Sequence, residues 1–260
     1  MEKARISIVI PAHNEEKRIE KTLLEYYAYF KEKSANFELV IVLNACKDKT
    51  PEIVKKIAKG KKEIIILEFK EGGKGFAVKE GFKDALKRDN YLIGFVDADL
   101  STSPKDFEDL FINIKGYGGI IASRYVKGAK VFPKQPFSRI LVSRLGNKII
   151  NSLFLLNMKD TQCGAKVFKR NTLERVIGKM GITQWAFDIE LLYKIKKEGI
   201  KVIEFPTVWR DAPGSTLNLK KAGIQTLFAV IQLRIMNSPF KRTLKVIKPI
   251  IKKIYLHTLK

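Results

Sequence analysis

The chain has 260 residues, of which 45% are hydrophobic, so it can build one large domain with a substantial core and is neither disordered nor fibrous. Cys46 and Cys163 lack a Cys-X-X-Cys spacing, which disfavours a disulfide framework and a zinc site. Only two histidines are present, which disfavours a serine-histidine-aspartate triad. The net charge of +23 is uneven, because residues 110–159 and 212–260 contain nine and ten bases, respectively, and no acid.

The first 122 residues alternate short β-branched runs with longer helical patterns. We predict strands over Ile6 to Ile10, Glu38 to Leu43, Glu63 to Leu67, Tyr91 to Val96 and Gly119 to Ala122. We predict helices over Glu15 to Lys31, Lys49 to Lys59, Lys74 to Lys87 and Pro104 to Ile114. This alternation predicts an α/β fold with a mostly parallel sheet covered by helices on both faces. Ligands bind such sheets beyond the carboxyl ends of the strands, where loops from several strands converge on one cleft.

A helix predicted over residues 137–157 carries two stripes. One line of residues spaced i, i+4 is apolar and consists of Phe137, Leu141, Leu145, Ile149 and Leu153. A second line with the same spacing is polar and consists of Arg139, Ser143, Asn147 and Asn151. An amphipathic helix at a membrane interface fits this pattern, and so does an ordinary surface helix packed on the core.

The two acid-free stretches are also rich in Leu, Ile, Val and Phe, which is typical of a surface that meets anionic lipid. Nucleic-acid binding is the competing interpretation, and we favour an anionic membrane surface with no nucleic acid. We expect a domain over 1–215 and a basic amphipathic tail over 216–260, kinked at Pro249, that associates with the membrane. Without a signal peptide or an apolar run of about 18 residues, we expect a peripheral protein at the cytoplasmic face with no transmembrane helix.

Asp97 and Asp99 follow the apolar run of the fourth predicted strand. Residues i and i+2 of an extended chain point the same way, so both carboxylates can face one divalent cation. Mg²⁺ and Mn²⁺ accept such oxygens and bridge to phosphate. The alternative is that the pair caps the helix after Pro104 or starts a turn, since an isolated Asp-X-Asp is frequent by chance.

Six motifs occur in order: SIVIPAHNEE from Ser7, GGKGFAVKEGF from Gly72, VDADLSTSP from Val96, SRY from Ser123, DTQCGAKVF from Asp160 and WAFDIELL from Trp185. Together, over roughly residues 5–218, they resemble family 2 glycosyltransferases of the dolichyl-phosphate (polyprenyl-phosphate) sugar synthase group, and most closely its dolichyl-phosphate glucosyltransferases. The resemblance implies a GT-A, Rossmann-like fold, a nucleotide-sugar donor and Mg²⁺ or Mn²⁺.

Carried over by position, the resemblance implies a metal held by Asp99 and Asp97. It also implies a nucleotide-sugar pocket lined by Pro11, Ala12, Asn14, Glu15, Asn44, Lys74 and Asp97. Many relatives have an Asp-Asp-Gly-Ser turn where this chain has Asn44, whose amide both donates and accepts. The donor base therefore stays open between UDP-glucose, which we favour, and GDP-mannose. Ser101 stands where some relatives place a metal-binding amide.

On the acceptor side, the resemblance implies that Arg124, Arg139, Ser143 and Arg210 hold the lipid phosphate, whose oxygens match the guanidinium fork. Arg124 and Arg139 lie in an acid-free segment, where no local partner exists; surface solvation or pairing with carboxylates is the alternative. Cys163 is interpreted as structural, and Asp160 and Gln162 as loop-forming or acceptor-side residues.

Asp188 aligns with the catalytic base of many family 2 enzymes. With a phosphate acceptor we expect it to orient an arginine or contact the sugar, and a helix N-terminal carboxylate is the structural alternative. We predict a catalytic set of Asp97, Asp99, Asp188 and Arg124 for the inverting transfer of a hexose, with glucose favoured, to dolichyl or polyprenyl phosphate. The alternative function is transfer to a hydroxyl acceptor in polysaccharide or glycoconjugate synthesis.

Overall fold

The computed structural model describes residues 5–33, 35–181, 186–211 and 219–238. A seven-stranded sheet has the order β3-β2-β1-β4-β7-β5-β8, and β6 and β9 form a second sheet. The strands are β1 Ile6–Ala12, β2 Phe37–Asn44, β3 Ile64–Phe69, β4 Leu92–Val96, β5 Gly119–Ser123, β6 Lys130–Phe132, β7 Ala165–Lys169, β8 Val202–Pro206 and β9 Val208–Arg210. The helices are α1 Ile19–Glu32, α2 Thr50–Ala58, α3 Lys74–Ala85, α4 Pro104–Asn113, α5 Phe137–Phe154, α6 Arg170–Val176, α7 Phe187–Lys197 and α8 Leu219–Met236.

The large sheet is covered on both faces, as the sequence predicts. Strand β2 is buried at all eight positions, which explains why residues 39–43 are apolar without alternation. Ile8 and Ile10 of β1 pack into one apolar cluster with α1, α2 and α4, whereas Val9 packs into a second cluster with α3, α7 and part of α8. Successive strand residues thus supply opposite layers of the core.

Strand β7 was not predicted, and it runs antiparallel to both β4 and β5. The other neighbouring pairs of the large sheet are parallel, so the expected mostly parallel sheet is confirmed with one reversed strand. The prediction that α1 begins at Glu15 is wrong by four residues. Residues 15–18 form a turn in which the amides of Arg18 and Ile19 both donate to the carbonyl of Glu15.

The polar stripe of α5 faces the protein and its apolar stripe faces outward. Asn147 Nδ2 donates to the carbonyl of Met158 at 2.7 Å, and Asn151 Oδ1 accepts from the Met158 amide at 2.9 Å. Phe137 is 78% exposed and Leu145 is 53% exposed. The alternative of a surface helix packed on the core holds for the last turns of α5, where Ile150 and Phe154 are buried in the second apolar cluster. Towards the start of the helix the apolar stripe is exposed and does not pack on the core.

The expected boundary between 215 and 216 lies outside the described residues, as does the predicted kinked helix around Pro249. Helix α8, beyond that boundary, buries Val230 and Leu233 in the second apolar cluster. No helix in the described part of the chain is long and apolar enough to cross a membrane.

Candidate active site

The predicted cleft lies where β1, β2, β4 and β5 end, at one edge of the large sheet. Strand β5 is antiparallel to β7, which is antiparallel to β4, so β5 and β4 run in the same direction. The loops after Ala12, Asn44, Val96 and Ser123 therefore open on the same side.

Lys74 and Asp97 meet at the centre of this edge. Lys74 is the first residue of α3, and its Nζ lies 2.5 Å from Asp97 Oδ1. Burial lowers the pKa of Lys74, but the charges of Asp97, Asp188 and Asp99 raise it by more, so the ammonium stays charged. Burial raises the pKa of Asp97, Lys74 opposes this, and Asp99 adds to it. The carboxylates are thus crowded enough for a further cation to stabilise them.

Gly164 provides the space that the Asp97 carboxylate occupies. The Asp97 amide donates to the Gly164 carbonyl at 3.1 Å, and a Cβ at position 164 would lie 1.9 Å from Asp97 Oδ2. Any side chain at this position would collide with the carboxylate. The glycine of the DTQCG motif is therefore part of the site.

Asp99 has one oxygen engaged within its own loop. Its Oδ1 accepts from the Ser101 amide at 3.0 Å, and its Oδ2 lies 3.9 Å from Arg18, which Glu15 holds at 2.7 Å. The buried Ser101 hydroxyl has no hydrogen-bond partner among the residues that the structure describes. Hard carboxylate oxygens of this kind fit Mg²⁺ or Mn²⁺. Across the described ranges no group of three or more His, Cys, Asp or Glu could hold a metal, so a cation here would need oxygens from a bound phosphate or water.

The predicted nucleotide-side residues lie at the ends of β1 and β2 and in the loop that follows β1. Asn44 is buried and, in the amide orientation that satisfies both groups, its nitrogen donates to Ala12 at 2.9 Å and its oxygen accepts from the Gly73 amide at 3.1 Å. Asn14 Oδ1 accepts from the Lys47 amide at 2.8 Å. Burial raises the pKa of Glu15, Arg18 opposes this, and Asp99 and Asp97 raise it further. Asn44 thus joins the end of β1 to the loop after β3. Pro11, the penultimate residue of β1, pairs with Val42 of β2.

Arg124 is held between two aromatic rings by a carboxylate from another loop. Its Nε and Nη2 donate to Asp160 at 2.8 and 2.9 Å, and its guanidinium lies 5.4 Å from the ring centroid of Tyr125 and 5.1 Å from that of Trp209. The Tyr125 hydroxyl donates to Ser143 Oγ at 3.0 Å. The structure therefore brings Arg124 and Ser143 together through Tyr125.

The other two predicted acceptor arginines are also paired. Arg139 donates to Asp211 at 2.6 Å, and Arg210 lies 3.5 Å from Asp106 with 58% of its side chain exposed. The expectation from the acid-free segment, that Arg124 and Arg139 have no local partner, holds only along the sequence. The fold supplies carboxylates from distant positions, so all three predicted acceptor arginines have a carboxylate partner.

Lys166 belongs to the site region and was missed. It is completely buried in β7, and its Nζ donates to Asp188 Oδ1 at 2.7 Å and to the Cys163 carbonyl at 2.5 Å. Asp188 lies in the first turn of α7, where the helix dipole favours a negative charge. The signal that could have found Lys166 is a lysine inside the apolar run AKVF. Burial raises the pKa of the Cys163 thiol to about 12, in line with its interpretation as a structural residue.

Comparison with known proteins supports one family. The glycosyl transferase family 2 model matches residues 7–177. A dolichyl-phosphate beta-glucosyltransferase of Dictyostelium discoideum is 31% identical over 243 residues, which cover 88% of this chain and 73% of that protein.

Two solved structures share the fold. Glucosyl-3-phosphoglycerate synthase from Mycobacterium tuberculosis, in complex with Mn²⁺, UDP and phosphoglyceric acid, has a TM-score of 0.64 at 16% identity, covering 91% of this chain and 80% of its own. Mannosyltransferase PcManGT from Pyrobaculum calidifontis, in complex with GDP-Man and Mn²⁺, has a TM-score of 0.63 at 20% identity, covering 98% and 70%. The predicted GT-A fold is confirmed, and the chain belongs to glycosyl transferase family 2.

Proposed function

We propose that the protein is an inverting, metal-dependent hexosyltransferase that moves glucose from UDP-glucose to dolichyl or polyprenyl phosphate at the cytoplasmic face of a membrane. The observation that carries the proposal is the position of α5. Its apolar stripe is exposed on the face of the helix opposite Ser143, and Ser143 is linked through Tyr125 to Arg124. The loop over residues 160–164 joins Arg124 to Asp97. The relative at 31% identity, named for dolichyl phosphate, supports the same acceptor.

The donor end of the cleft is built for a diphosphate. Asp97 and Asp99 would hold Mg²⁺ or Mn²⁺, and a bound cation neutralises negative charge on the leaving nucleoside diphosphate. Lys74 keeps the Asp97 carboxylate in place at 2.5 Å. Asn44 and Ala12 hold the loops that would surround the nucleoside. Bound structures of the two fold relatives contain UDP or GDP-Man, which supports a nucleotide-sugar donor.

The acceptor end needs charge and orientation more than a base. A phosphate monoester is largely ionised at neutral pH and can attack the anomeric carbon directly. Arg124 is rigid because Asp160 and two rings hold it, and its Nη1 makes no hydrogen bond to the described residues. That nitrogen can donate to a phosphate without breaking the Asp160 contacts. Direct displacement from the face opposite the leaving diphosphate inverts the anomeric configuration.

The outer surface of α5 would place this end at the membrane. Leu141, Val142 and Leu145 are exposed, and Arg144 and Lys148 lie between this apolar side and the protein-facing polar stripe. Basic side chains in that position can reach lipid phosphates while the apolar side chains enter the acyl region.

A transfer assay tests the proposal. Purified protein is incubated with radiolabelled UDP-glucose or GDP-mannose, Mn²⁺ or Mg²⁺, and polyprenyl phosphate in detergent, and the lipid is then extracted into organic solvent. We expect labelled lipid from UDP-glucose, and its loss with Asp99→Asn but not with the matched control Asp89→Asn, which changes an exposed aspartate outside the cleft. Absence of labelled lipid with every donor would contradict the proposal, and label in a water-soluble product would support the hydroxyl-acceptor alternative.

A further inference from the structure

Lys166 is a charged side chain inside an apolar layer. In the sheet it stands beside Phe95 of β4 and Ile121 of β5, which belong to the second apolar cluster, and it has no exposed surface. A buried ammonium is costly unless a counter-charge and hydrogen bonds compensate it. An apolar side chain would fill the same space without that cost, so packing alone does not explain a lysine here.

The contacts of Lys166 join two parts of the cleft. Its Nζ donates to Asp188 Oδ1 at 2.7 Å and to the Cys163 carbonyl at 2.5 Å, and it lies 5.3 Å from the ring centroid of Phe95. Within the part of the chain that the structure describes, Asp188 is its one carboxylate partner. The ammonium therefore fixes the position of the α7 carboxylate relative to the loop over residues 160–164.

That loop touches both ends of the cleft. Asp160 at its start holds Arg124 on the acceptor side, and Gly164 at its end contacts Asp97 on the donor side. In a direct displacement the transferred sugar lies between the leaving diphosphate and the attacking phosphate. Asp188 is connected to this loop through Lys166, keeps 11% of its side chain exposed, and is close enough to Lys74 and Asp97 to influence their charges.

We propose that Lys166 is a positioning residue that holds Asp188 as a fixed, charged hydrogen-bond acceptor for hydroxyl groups of the transferred sugar. The inference rests on the proposed function for the identity of the ligand, a nucleotide-hexose. We do not assign Asp188 the role of the base, because its Oδ1 already accepts from the Lys166 ammonium at 2.7 Å. A phosphate acceptor brings its own negative charge, so the reaction has no need of that base.

The test separates contacts to the sugar from contacts to the nucleotide. Calorimetry in the presence of Mn²⁺ measures how much more tightly each protein binds UDP-glucose than UDP, and GDP-mannose than GDP. This affinity ratio is compared with wild type for four variants: Lys166→Met, Lys166→Arg, Asp188→Asn and the double variant Lys166→Met/Asp188→Asn. We expect each loss of charge to lower the ratio by about tenfold, as for a lost hydrogen bond to a charged group, with little change for the bare nucleotide. Because the two residues act as a unit, the double variant should lose no more than either single variant.

Several outcomes decide the inference. Lys166→Arg should recover part of the ratio, and the control Lys79→Met, which removes a half-buried lysine bound to the Met180 carbonyl at 2.6 Å, should leave it unchanged. If Lys166→Met does not fold, the double variant, which has no unpaired buried charge, carries the test. The inference is overturned if the affinity ratio is unchanged in both Asp188→Asn and the double variant. It is also overturned if Asp188→Asn loses the transfer rate while its affinity ratio stays unchanged. Wild-type protein that binds donors but transfers nothing to polyprenyl phosphate contradicts the proposed function instead.

Discussion

Replacing Gly164 with alanine should inactivate the protein while leaving its fold intact. The new Cβ would lie 1.9 Å from Asp97 Oδ2, whereas ordinary van der Waals contact begins at 3.4 Å. The carboxylate must therefore move by about 1.5 Å, the kind of overpacking that costs ~1–3 kcal/mol of stability. Such a movement breaks the 2.5 Å contact with Lys74 and displaces the oxygen expected to bind the cation.

The magnitude follows from the sensitivity of catalysis to position. A misplacement of about 1 Å can lower a rate by about 100-fold, so we expect kcat/KM to fall by at least that factor. The half-saturating concentration of Mn²⁺ should rise as well, because Asp97 is one of the two proposed ligands.

Initial rates of labelled-lipid formation at a series of Mn²⁺ concentrations provide the measurement, with thermal unfolding as the check on folding. Gly178→Ala is the matched control, since a Cβ there meets nothing within 4 Å. Transfer by Gly164→Ala within twofold of wild type, at an unchanged Mn²⁺ requirement, would refute the steric reasoning.

Three further predictions concern the membrane surface, the core and pH. Leu145→Ser should weaken binding to phosphatidylglycerol-containing vesicles by about tenfold or more, because burial of a leucine contributes ~1.5–3 kcal/mol. The control Ile112→Ser on α4, where the side chain is at least as exposed, should not weaken it. Equal losses in a sedimentation assay would argue against α5 as the interface. Glu38→Gln should lower the free energy of unfolding, measured in urea, by about 3 kcal/mol. The buried Glu38 carboxylate accepts from Arg5 and Arg88 at 2.8 Å, and the substitution removes the negative charge that both arginines pair with. The control Glu20→Gln changes an exposed side chain and should alter the free energy of unfolding little. Burial raises the pKa of Glu15, so the folded state binds its proton more tightly than the unfolded state and loses stability as the pH rises above 4.5. Glu15→Gln removes this loss, and the variant should become more stable relative to wild type over that range. A stability difference that stays constant between pH 4.5 and 7 would contradict this.

Local pattern predicted the elements whose apolar period is strong. The strands β1, β2 and β4 and the helices α2, α3 and α4 lie within a few residues of their predicted bounds. Strand β7 was missed because it has only five residues, two of them lysines, and its place between β4 and β5 depends on pairing with distant segments. The start of α1 was misplaced because the turn over residues 15–18 is set by contacts such as Glu15 to Arg18, which helical periodicity does not report.

The sequence predicts site residues that come directly after a strand. It does not predict the ion-pair partners of the site residues, because those partners lie far away in the sequence. Asp97, Asp99 and Lys74 were placed at one edge because strand direction alone brings their loops together. The partners of Arg124 and Arg139 lie 36 and 72 residues away in sequence, so an acid-free segment says nothing about whether its arginines are paired. Periodicity showed two stripes on α5 but could not say which one faces the domain.

The attachment of α5 and its affinity for an apolar phase depend on separate sets of residues. Asn147 and Asn151 hold the helix through the loop around Met158, while Leu141 and Leu145 contribute little to holding it. If the outer side of α5 is the membrane surface proposed above, polar substitutions there would weaken the contact with lipid at almost no cost in folding. They would leave in place the polar contacts that attach α5 to the loop around Met158.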